Sequence, residues 1–597
     1  MCGIFGYTGM PIDAASTVFS SLKKLEYRGY DSWGVAVSDA GVARVARDIG
    51  KLAAPPTGLP ASNLALGHTR WATTGAVTVA NAHPHRDGSK RLALVHNGII
   101  ENYQVLRHGL IARGHVLYSE TDTEVAAHLV EEMLDALEPS DALGEGGLLA
   151  EALRRVCLQL DGLNALAAFN AATGELAAVK NGSPLIVGVG DDATYLASDM
   201  AALLPHTRRL AYIHDGQVVV LTPDGVSLFD MLTGEPAPLT VEQVEWRAED
   251  AELGDYHHYL EKEIWEQPDL LRRIAAEGGP QAEGLAAFIR EAQGLHLVGC
   301  GTAFHAALLA RYLLTIEAGV VASATYAHEF AVFAGALHDR DAMIAFSQSG
   351  ETIDVLDAVR AGRARGARIG ALVNVPGSTL ARQSDLAVML GAGPEKSVLS
   401  TKTFMAKLAY TLLTAGFLGD AADAVQKALR DAADGSDRLK TDGRLTAIRD
   451  VAHHIVDRSH LFVLGRGVCY PLALEAALKI KEVTYMHAEG FAAGELKHGV
   501  IALIEPGTPV LVFAPAGADE AQMLLSAGEV KARGAYVVGI GPDRHEVFDA
   551  HIPVPETGLA YLLSALPPVQ LLAYELALLR GTDPDKPRNL AKSVTVR

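Results

Sequence analysis

The sequence predicts an α+β domain with antiparallel sheets at the N-terminus, followed by two α/β domains with doubly wound parallel sheets. Three observations predict it: short β-like runs up to about residue 235, a strand, glycine-turn, helix rhythm from about residue 290, and a repeat of that rhythm further on.

The early runs are Ile4–Tyr7, Trp33–Val37, Leu92–His96, Leu185–Val189 and Val218–Leu221, with helical stretches near Asn102–Arg113 and Asp122–Leu137. The second stretch carries apolar residues at helical spacing. Between Gly234 and Gly254 the chain turns acidic and loses apolar periodicity, which predicts a linker, and a long helical pattern runs from His257 to Ala276. Leu295–Gly299 then leads through Gly301 into a helix over Ala306–Leu314, and Met343–Phe346 leads through Ser347–Thr352 into another. Leu295–Gly301 echoes Leu461–Gly467 about 166 positions later. Met343–Gly350 aligns with Val510–Gly517, and Ile369–Val373 with Tyr536–Gly539, at nearly the same offset. The period is a whole domain, so the pattern is a duplication and not a solenoid.

At 597 residues with 49% hydrophobic and 20% charged residues, the chain is long enough for several cores and too apolar for disorder. A net charge of −20 argues against nucleic acid, although it leaves an anionic small substrate open because local charge decides binding. Cys2, Cys157, Cys300 and Cys469 are widely separated, which predicts neither a disulfide framework nor a zinc site. The N-terminus shows no basic stretch before an apolar run, and the apolar stretch Phe404–Leu418 is too short to span a bilayer. A soluble cytoplasmic protein is the expectation.

Cys2 follows the initiator directly. With Met1 removed, one residue would carry both a thiol and a free α-amine, a nucleophile with its own base. An α-amine titrates near ~8 and can accept a proton near neutrality. Taken alone, Cys2 also reads as an incidental cysteine. Its surroundings decide: Cys2–Gly6, Glu26–Ser32, Gly67–Thr73, Asn81–His85, His96–Asn102 and Ser119–Glu124 occur in order. Through these motifs the chain resembles the class II, N-terminal-nucleophile glutamine amidotransferases, a fold of stacked antiparallel sheets. The resemblance implies that Cys2 attacks the glutamine side-chain amide and that Asn97 and the Gly98 N–H form an oxyanion hole. It implies that Arg70 holds the substrate α-carboxylate, that Asp122 accepts from its α-ammonium, and that Trp71 and Thr73 sit on a loop over the substrate. Asp122 also reads as a helix N-cap, and Arg70 as a surface charge. Thr74 stands where this family commonly has histidine, which bears on loop closure and not on the nucleophile.

Ser347-Gln348-Ser349-Gly350-Glu351-Thr352, between a strand and a helix, offers hydroxyls, an amide and backbone N–H groups, the makings of a phosphate cradle. A polar turn with an N-cap is the plainer reading. The second copy has Ala514-Pro515-Ala516-Gly517-Ala518-Asp519 here, without hydroxyls and with an acid, so one phosphate site per chain is expected. No P-loop pattern is present.

From about Leu295 onward the chain resembles the tandem sugar-isomerase (SIS) domains of the glucosamine-6-phosphate synthase family. The resemblance rests on Gly299–Thr302, Ser347–Thr352, Asn374–Ser378, Ser400–Lys402, Gly465–Gly467, Glu475–Glu482, Ala493–Gly499 and Pro587–Val596. It implies five segments: an amidotransferase domain over 2–235, a linker and connecting helix over 236–284, SIS domains over 285–430 and 450–585, and a tail over 586–597 that closes the sugar site. Isomerising and aminating a ketose phosphate needs ring opening, proton transfer between C-1 and C-2, and carbonyl activation. The resemblance assigns these to His498, Glu482 and a Schiff base on Lys592. Lys479, three residues before Glu482 on one helix face, would stabilise negative charge or tune Glu482, and the same spacing also reads as a solvated ion pair. Thr302, Ser347, Gln348, Ser349, Thr352 and Ser400, with the backbone of Val398 and Ala591, would hold the sugar phosphate. Ala303 stands where the family usually has serine.

The implied reaction is L-glutamine plus D-fructose 6-phosphate giving D-glucosamine 6-phosphate and L-glutamate, with internal ammonia transfer gated by Trp71. No metal or organic cofactor is implied. Neither nucleic acid nor membrane is expected as a partner, and a homodimer or higher homo-oligomer is, because the family's sugar site borrows a histidine from a neighbouring subunit. Two alternatives stay open: a paralogue aminating another ketose phosphate, and a sugar-phosphate-binding regulator without catalysis.

Overall fold

A computed structural model describes residues 2–144, 147–247, 249–440 and 443–593. The chain divides into two compact units, Met1–Glu252 together with Ala591–Arg597, and Leu253–Leu590.

The first unit contains two antiparallel sheets. One has eight strands in the order Glu242–Gln243, Arg209–Tyr212, Ile186–Val189, Ala193–Ala197, β1 (Gly3–Ile12), β2 (Ser62–Arg70), Ser32–Asp39 and Val42–Ile49. The other has seven, in the order Pro236–Ala237, Gly225–Asp230, Gln217–Thr222, Glu175–Asn181, Asn164–Asn170, β3 (Leu92–Gly98) and His85–Arg86. Alternate residues of the two sheets, such as Ile4, Leu66, Val95, Ala167, Val187 and Val219, form one buried cluster, so the sheets stack face to face. A second cluster lies on the far face of the seven-stranded sheet. It packs that face under the helices α1 (Tyr103–Ala112), α2 (Asp122–Ala136) and Gly147–Cys157. The expected linker is partly structured: Pro236–Ala237 and Glu242–Gln243 add a short edge strand to each sheet, pairing with Leu228–Phe229 and Arg209–Leu210.

The second unit holds two parallel five-stranded sheets. The first runs β5 (Ser323–Tyr326), β4 (Leu295–Gly299), β6 (Ala342–Phe346), β7 (Arg368–Val373), β8 (Leu386–Met389). The second runs β10 (His487–Ala492), β9 (His460–Gly465), β11 (Pro509–Phe513), β12 (Tyr536–Gly541), β13 (Ala550–Pro553). Both have the order 2-1-3-4-5, the doubly wound arrangement. The duplication read from the sequence therefore extends to the topology and to the backbone. Gly299 and Gly465 end the first strand of each copy where a Cβ would lie 2.7 Å and 2.0 Å from the next helix's backbone, and Gly301 and Gly467 have φ of 52° and 53°.

One hydrophobic core runs through both copies, from Leu260 to Ala577. Its central helices include α3 (Thr302–Ala318), α5 (Lys402–Leu418) and α6 (Cys469–Thr484), with α4 (Ile353–Arg363) and α7 (Glu520–Lys531) after the third strand of each copy. The helix Tyr561–Leu579 is long and apolar enough to cross a membrane, but 83% of that window is buried within the protein. The single helix expected over His257–Ala276 is two, Tyr259–Trp265 and Gln267–Glu277. The break falls at Glu266, just ahead of Pro268, which suits the first turn of a helix and not its interior.

Candidate active sites

Pairing of β1 with β2 sets Gly3 opposite Thr69 and Ile4 opposite His68, so Cys2 lies at the end of β2 beside Trp71. The Trp71 N–H donates to Cys2 Sγ at 3.3 Å, and the Thr69 hydroxyl accepts from the Gly3 N–H at 3.1 Å. A Cβ at position 3 would sit 2.6 Å from Thr69 Oγ1 and 2.7 Å from Leu25 Cβ, so this strand requires glycine after Cys2. Burial pushes the Cys2 thiol up, while the Trp71 N–H and Arg70 pull it down. The net shift is upward, so the thiol stays protonated until a base takes its proton.

β3 belongs to the opposite sheet and delivers Asn97. Its Nδ2 donates to the Cys2 carbonyl at 3.1 Å, and Gly98 adopts φ 138°. The Asn97 amide is oriented by a residue not singled out from the sequence. His68 Nε2 lies 3.1 Å from both Asn97 Oδ1 and the His96 carbonyl. Two acceptors at one ring nitrogen require Nε2 to carry the proton. Burial pushes His68 down to about 3, which keeps the ring neutral at physiological pH. Neutral His68 thus fixes which way Asn97 points its N–H₂.

Arg70 is buried and not a surface charge. Its guanidinium donates to the carbonyls of Thr74, Gly75 and Ala76. The loop is held from the other side by Glu120, which accepts from the Ala76 N–H at 3.1 Å and from Asn81 Nδ2 at 2.9 Å. A carboxylate arriving at Arg70 has to compete with the three loop carbonyls. Thr74 contributes a carbonyl here, which any residue supplies, so its departure from histidine is neutral for this contact. Trp71 packs edge-on against Tyr30 with ring centres 5.5 Å apart, and Thr73 is exposed. Gly29 explains the Glu26–Ser32 motif: a Cβ there would lie 2.7 Å from the backbone of Arg70 and Trp71. Asp122 is the first residue of α2, while Thr121 is the N-cap and accepts from the Glu124 N–H at 3.3 Å. The Asp122 carboxylate is buried and accepts from the Ile100 N–H at 2.9 Å, so the N-cap reading of Asp122 gives way to Thr121.

In the second unit, β4 and β6 lie side by side with connections leaving in opposite directions, and a doubly wound sheet binds ligands at that crevice. The loops that follow them carry Thr302 and Ser347–Thr352. Ser347 is buried and its hydroxyl accepts from the Gly350 N–H at 2.9 Å; Ser349 Oγ accepts from the Glu351 N–H at 3.1 Å. Gln348, Ser349 and Thr352 are half-buried, and Thr352 is the N-cap residue of α4. The turn after β11 differs. Ala516 N–H donates to Glu556 at 3.2 Å, and Asp519 pairs with Arg466 at 3.0 Å. A carboxylate of the protein thus already occupies the amide of the second turn. The acid noted there in the sequence, Asp519, is the one paired with Arg466.

Lys479 and Glu482 are not a solvated pair. Lys479 is 1% exposed, with Nζ 2.7 Å from Glu482 Oε2, 3.0 Å from Thr302 Oγ1 and 3.4 Å from Glu475 Oε1. Glu475 also accepts from Thr302 Oγ1 at 3.0 Å and meets His305 Nδ1 at 2.7 Å. Burial alone would lower the Lys479 ammonium's pKa, but Glu475 and Glu482 outweigh it and the value rises. Burial would raise Glu475, but Lys479 and His305 outweigh it and the carboxyl titrates below its usual range. The network joins α3 of the first copy to α6 of the second. Glu475 was quoted within a motif without a role and His305 was missed: they look like core positions of apolar helices, and only the docking of α3 on α6 brings them together.

Ser400 Oγ lies 2.5 Å from Thr403 Oγ1, and the Val398 N–H donates to the Asp585 carbonyl at 3.1 Å, so a sugar would meet Val398 through its carbonyl. Ala303 is half-buried on the first turn of α3. His498 is exposed at the end of a 3₁₀ turn, Ala493–His498. Ala591 and Lys592 are half-buried in the segment that groups with the first unit.

The glutamine amidotransferase domain family matches residues 68–205, and the SIS domain family matches 288–415 and 454–548. The fold and these matches define a two-part glutamine amidotransferase with paired SIS domains. The isomerizing glutamine–fructose-6-phosphate aminotransferase of Streptomyces coelicolor is 42% identical over the full length of both chains, and those of Thermus thermophilus and Pyrococcus horikoshii are 41% and 39% identical, also over both full lengths. The chain belongs to the family of isomerizing glutamine–fructose-6-phosphate aminotransferases. The solved C-terminal domain of the glucosamine-fructose-6-phosphate aminotransferase from Francisella tularensis superposes with a TM-score of 0.51 at 29% identity, covering 55% of this chain and 99% of that one.

Proposed function

We propose that the protein converts D-fructose 6-phosphate and L-glutamine to D-glucosamine 6-phosphate and L-glutamate. The observation that carries this reading is buried Lys479, paired with Glu482 and hydrogen-bonded to Thr302, in a chain whose other unit holds Cys2 against Asn97. Cys2 Sγ adds to the glutamine amide carbon, its proton passing to the α-amine exposed when Met1 is removed. Asn97 and the Gly98 N–H bind the oxyanion. Ammonia leaves, and water hydrolyses the thioester to glutamate. Arg70 and Asp122 hold the α-carboxylate and α-ammonium, with Trp71 and Thr73 over the substrate. The phosphate rests on Ser347, Gln348, Ser349 and Thr352, with Thr302, Ser400, Val398 and Ala591 around the sugar. His498 opens the ring and Lys592 forms an imine with C-2, which ammonia displaces. Glu482 carries a proton from C-1 to C-2 while Lys479 balances the charge.

The ammonia passes internally, the chain works as a homo-oligomer in the cytoplasm, and the five segments drawn from the sequence are its working parts. The test is product analysis. Glucosamine 6-phosphate must form from the two substrates, and Cys2→Ala must lose glutamine-dependent synthesis while keeping sugar-phosphate isomerisation. Glutamate release without amino sugar would point to another acceptor, the reading that Ala303 favours, and turnover across several ketose phosphates would identify it.

A further inference from the structure

Outside both sites, the first unit has a cleft of about 830 Å³ whose lining includes His85, Asp87, Arg113, His115, His128, Glu131 and Glu132. Three donor atoms converge on it. His115 Nδ1 lies 3.0 Å from His128 Nδ1 and 3.9 Å from Glu131 Oε2, and His128 Nδ1 lies 3.3 Å from the same oxygen. We propose that His115, His128 and Glu131 form a zinc site.

Three features carry it. The first is spacing: tetrahedral zinc with bonds of about 2.0–2.2 Å sets its ligand atoms roughly 3.3–3.6 Å apart. The three separations bracket that value, and two imidazoles with one carboxylate suit zinc over calcium or magnesium.

The second is the surrounding shell. His115 Nε2 donates to Glu132 Oε1 at 3.0 Å, which leaves a lone pair on Nδ1 facing the other two donors. Glu132 is itself gripped by Arg113 through two hydrogen bonds of 2.6 and 2.7 Å. Glu131 is aimed by the N–H groups of Gly88 and Ser89, at 3.0 and 2.9 Å. Both rings would ligate zinc as neutral Nε2–H tautomers, so the proton between the two Nδ1 atoms moves to Nε2 of His128.

The third is the backbone. α1 ends with Gly114 at φ 98°, Gly114 N–H on the Ile111 carbonyl and His115 N–H on the Leu110 carbonyl. That Schellman ending fixes where His115 points. His128 and Glu131 are one helical turn apart on α2 and buried, and His115 is half-buried, so the protein supplies three ligands and leaves a fourth position for water. The ion would pin the turn after α1 and the 88–89 loop to α2, the helix that begins with Asp122.

The test uses the full chain carrying Cys2→Ala, which removes the nucleophile thiol as a competing ligand. After chelator treatment it is dialysed against Zn²⁺ alone, then against Co²⁺ as a visible probe. One equivalent of Zn²⁺ per chain, tetrahedral Co²⁺ absorption and a raised Tm are expected. His115→Ala, at a half-exposed turn that the fold does not need, lowers Zn²⁺ affinity at least 100-fold, and Glu132→Gln lowers it 10–100-fold. His328→Ala, in the other grouping of donor types with Cys300 and Asp354, leaves it unchanged. Absence of saturable Zn²⁺ binding, or binding that survives His115→Ala, overturns the proposal.

Discussion

Replacing Lys479 with methionine tests the acid–base network most sharply. The ammonium is 1% exposed and touches Glu482, Thr302 and Glu475 within 2.7–3.4 Å. Removing one partner of a buried ion pair costs about 3–5 kcal/mol, because the other charge is left without compensation. Glu475 keeps His305 at 2.7 Å and Glu482 is 19% exposed, so each retains some relief and the cost falls near ~3 kcal/mol. The linkage has a definite sign. The Glu475 carboxyl sits below its unfolded value, so its contribution is present above the unfolded pKa and is lost as pH falls through the folded one. Lys479→Met raises the folded pKa and narrows that window from the acid side. Under the proposed role of Lys479, loss of a preorganised charge lowers turnover about 10²–10³-fold. The assays are amino sugar formation, glutamate release as an internal control, and calorimetry of the second unit's transition, with Lys479→Gln keeping a donor to Thr302. Turnover within threefold of wild type together with an unchanged transition temperature would refute the assignment.

Three further outcomes follow from the geometry. Asn97→Ala removes the side-chain donor at Cys2 and lowers the glutaminase kcat about 10²–10³-fold with little change in KM, read by steady-state glutamate release. Burial pushes His68 to about 3 and leaves His83 and His85 well below 6.5. The unfolded chain binds more protons below 6.5, so the first unit loses stability as pH falls from about 6.5 toward 3, at up to ~1.4 kcal/mol per histidine per pH unit; thermal scans across that range check it. Gly350→Ala would place a Cβ 2.1 Å from Ser378 Oγ at φ 69°, so the turn must move, and KM for sugar phosphate should rise at least tenfold while glutamine hydrolysis is untouched.

The duplication was legible because strand, glycine and helix recur in one register. Gly299 and Gly465 recur because each first strand meets its helix too closely for any side chain. The Cys2 region was legible because its residues lie within short motifs. The edge strands Pro236–Ala237 and Glu242–Gln243 were not: two residues pairing at a sheet margin leave no periodicity to read. His68 was quoted within a motif without a role, since nothing local says that its ring nitrogen reaches Asn97 across the stacked sheets. Glu475 and His305 were hidden for a related reason. Each sits at a buried position of a largely apolar helix, and their meaning comes from a partner 170 positions away.

The most direct test of the central claim is a nitrogen balance in competition. Amide-labelled glutamine and fructose 6-phosphate are supplied with excess unlabelled ammonium, and the hexosamine 6-phosphate is weighed by mass spectrometry. The account predicts label in the amino sugar at nearly the glutamine enrichment, one glutamate formed per amino sugar, and none of either from Cys2→Ala with glutamine as nitrogen donor. Amino sugar that takes its nitrogen from the ammonium pool, or glutamate formed without labelled amino sugar, would contradict it.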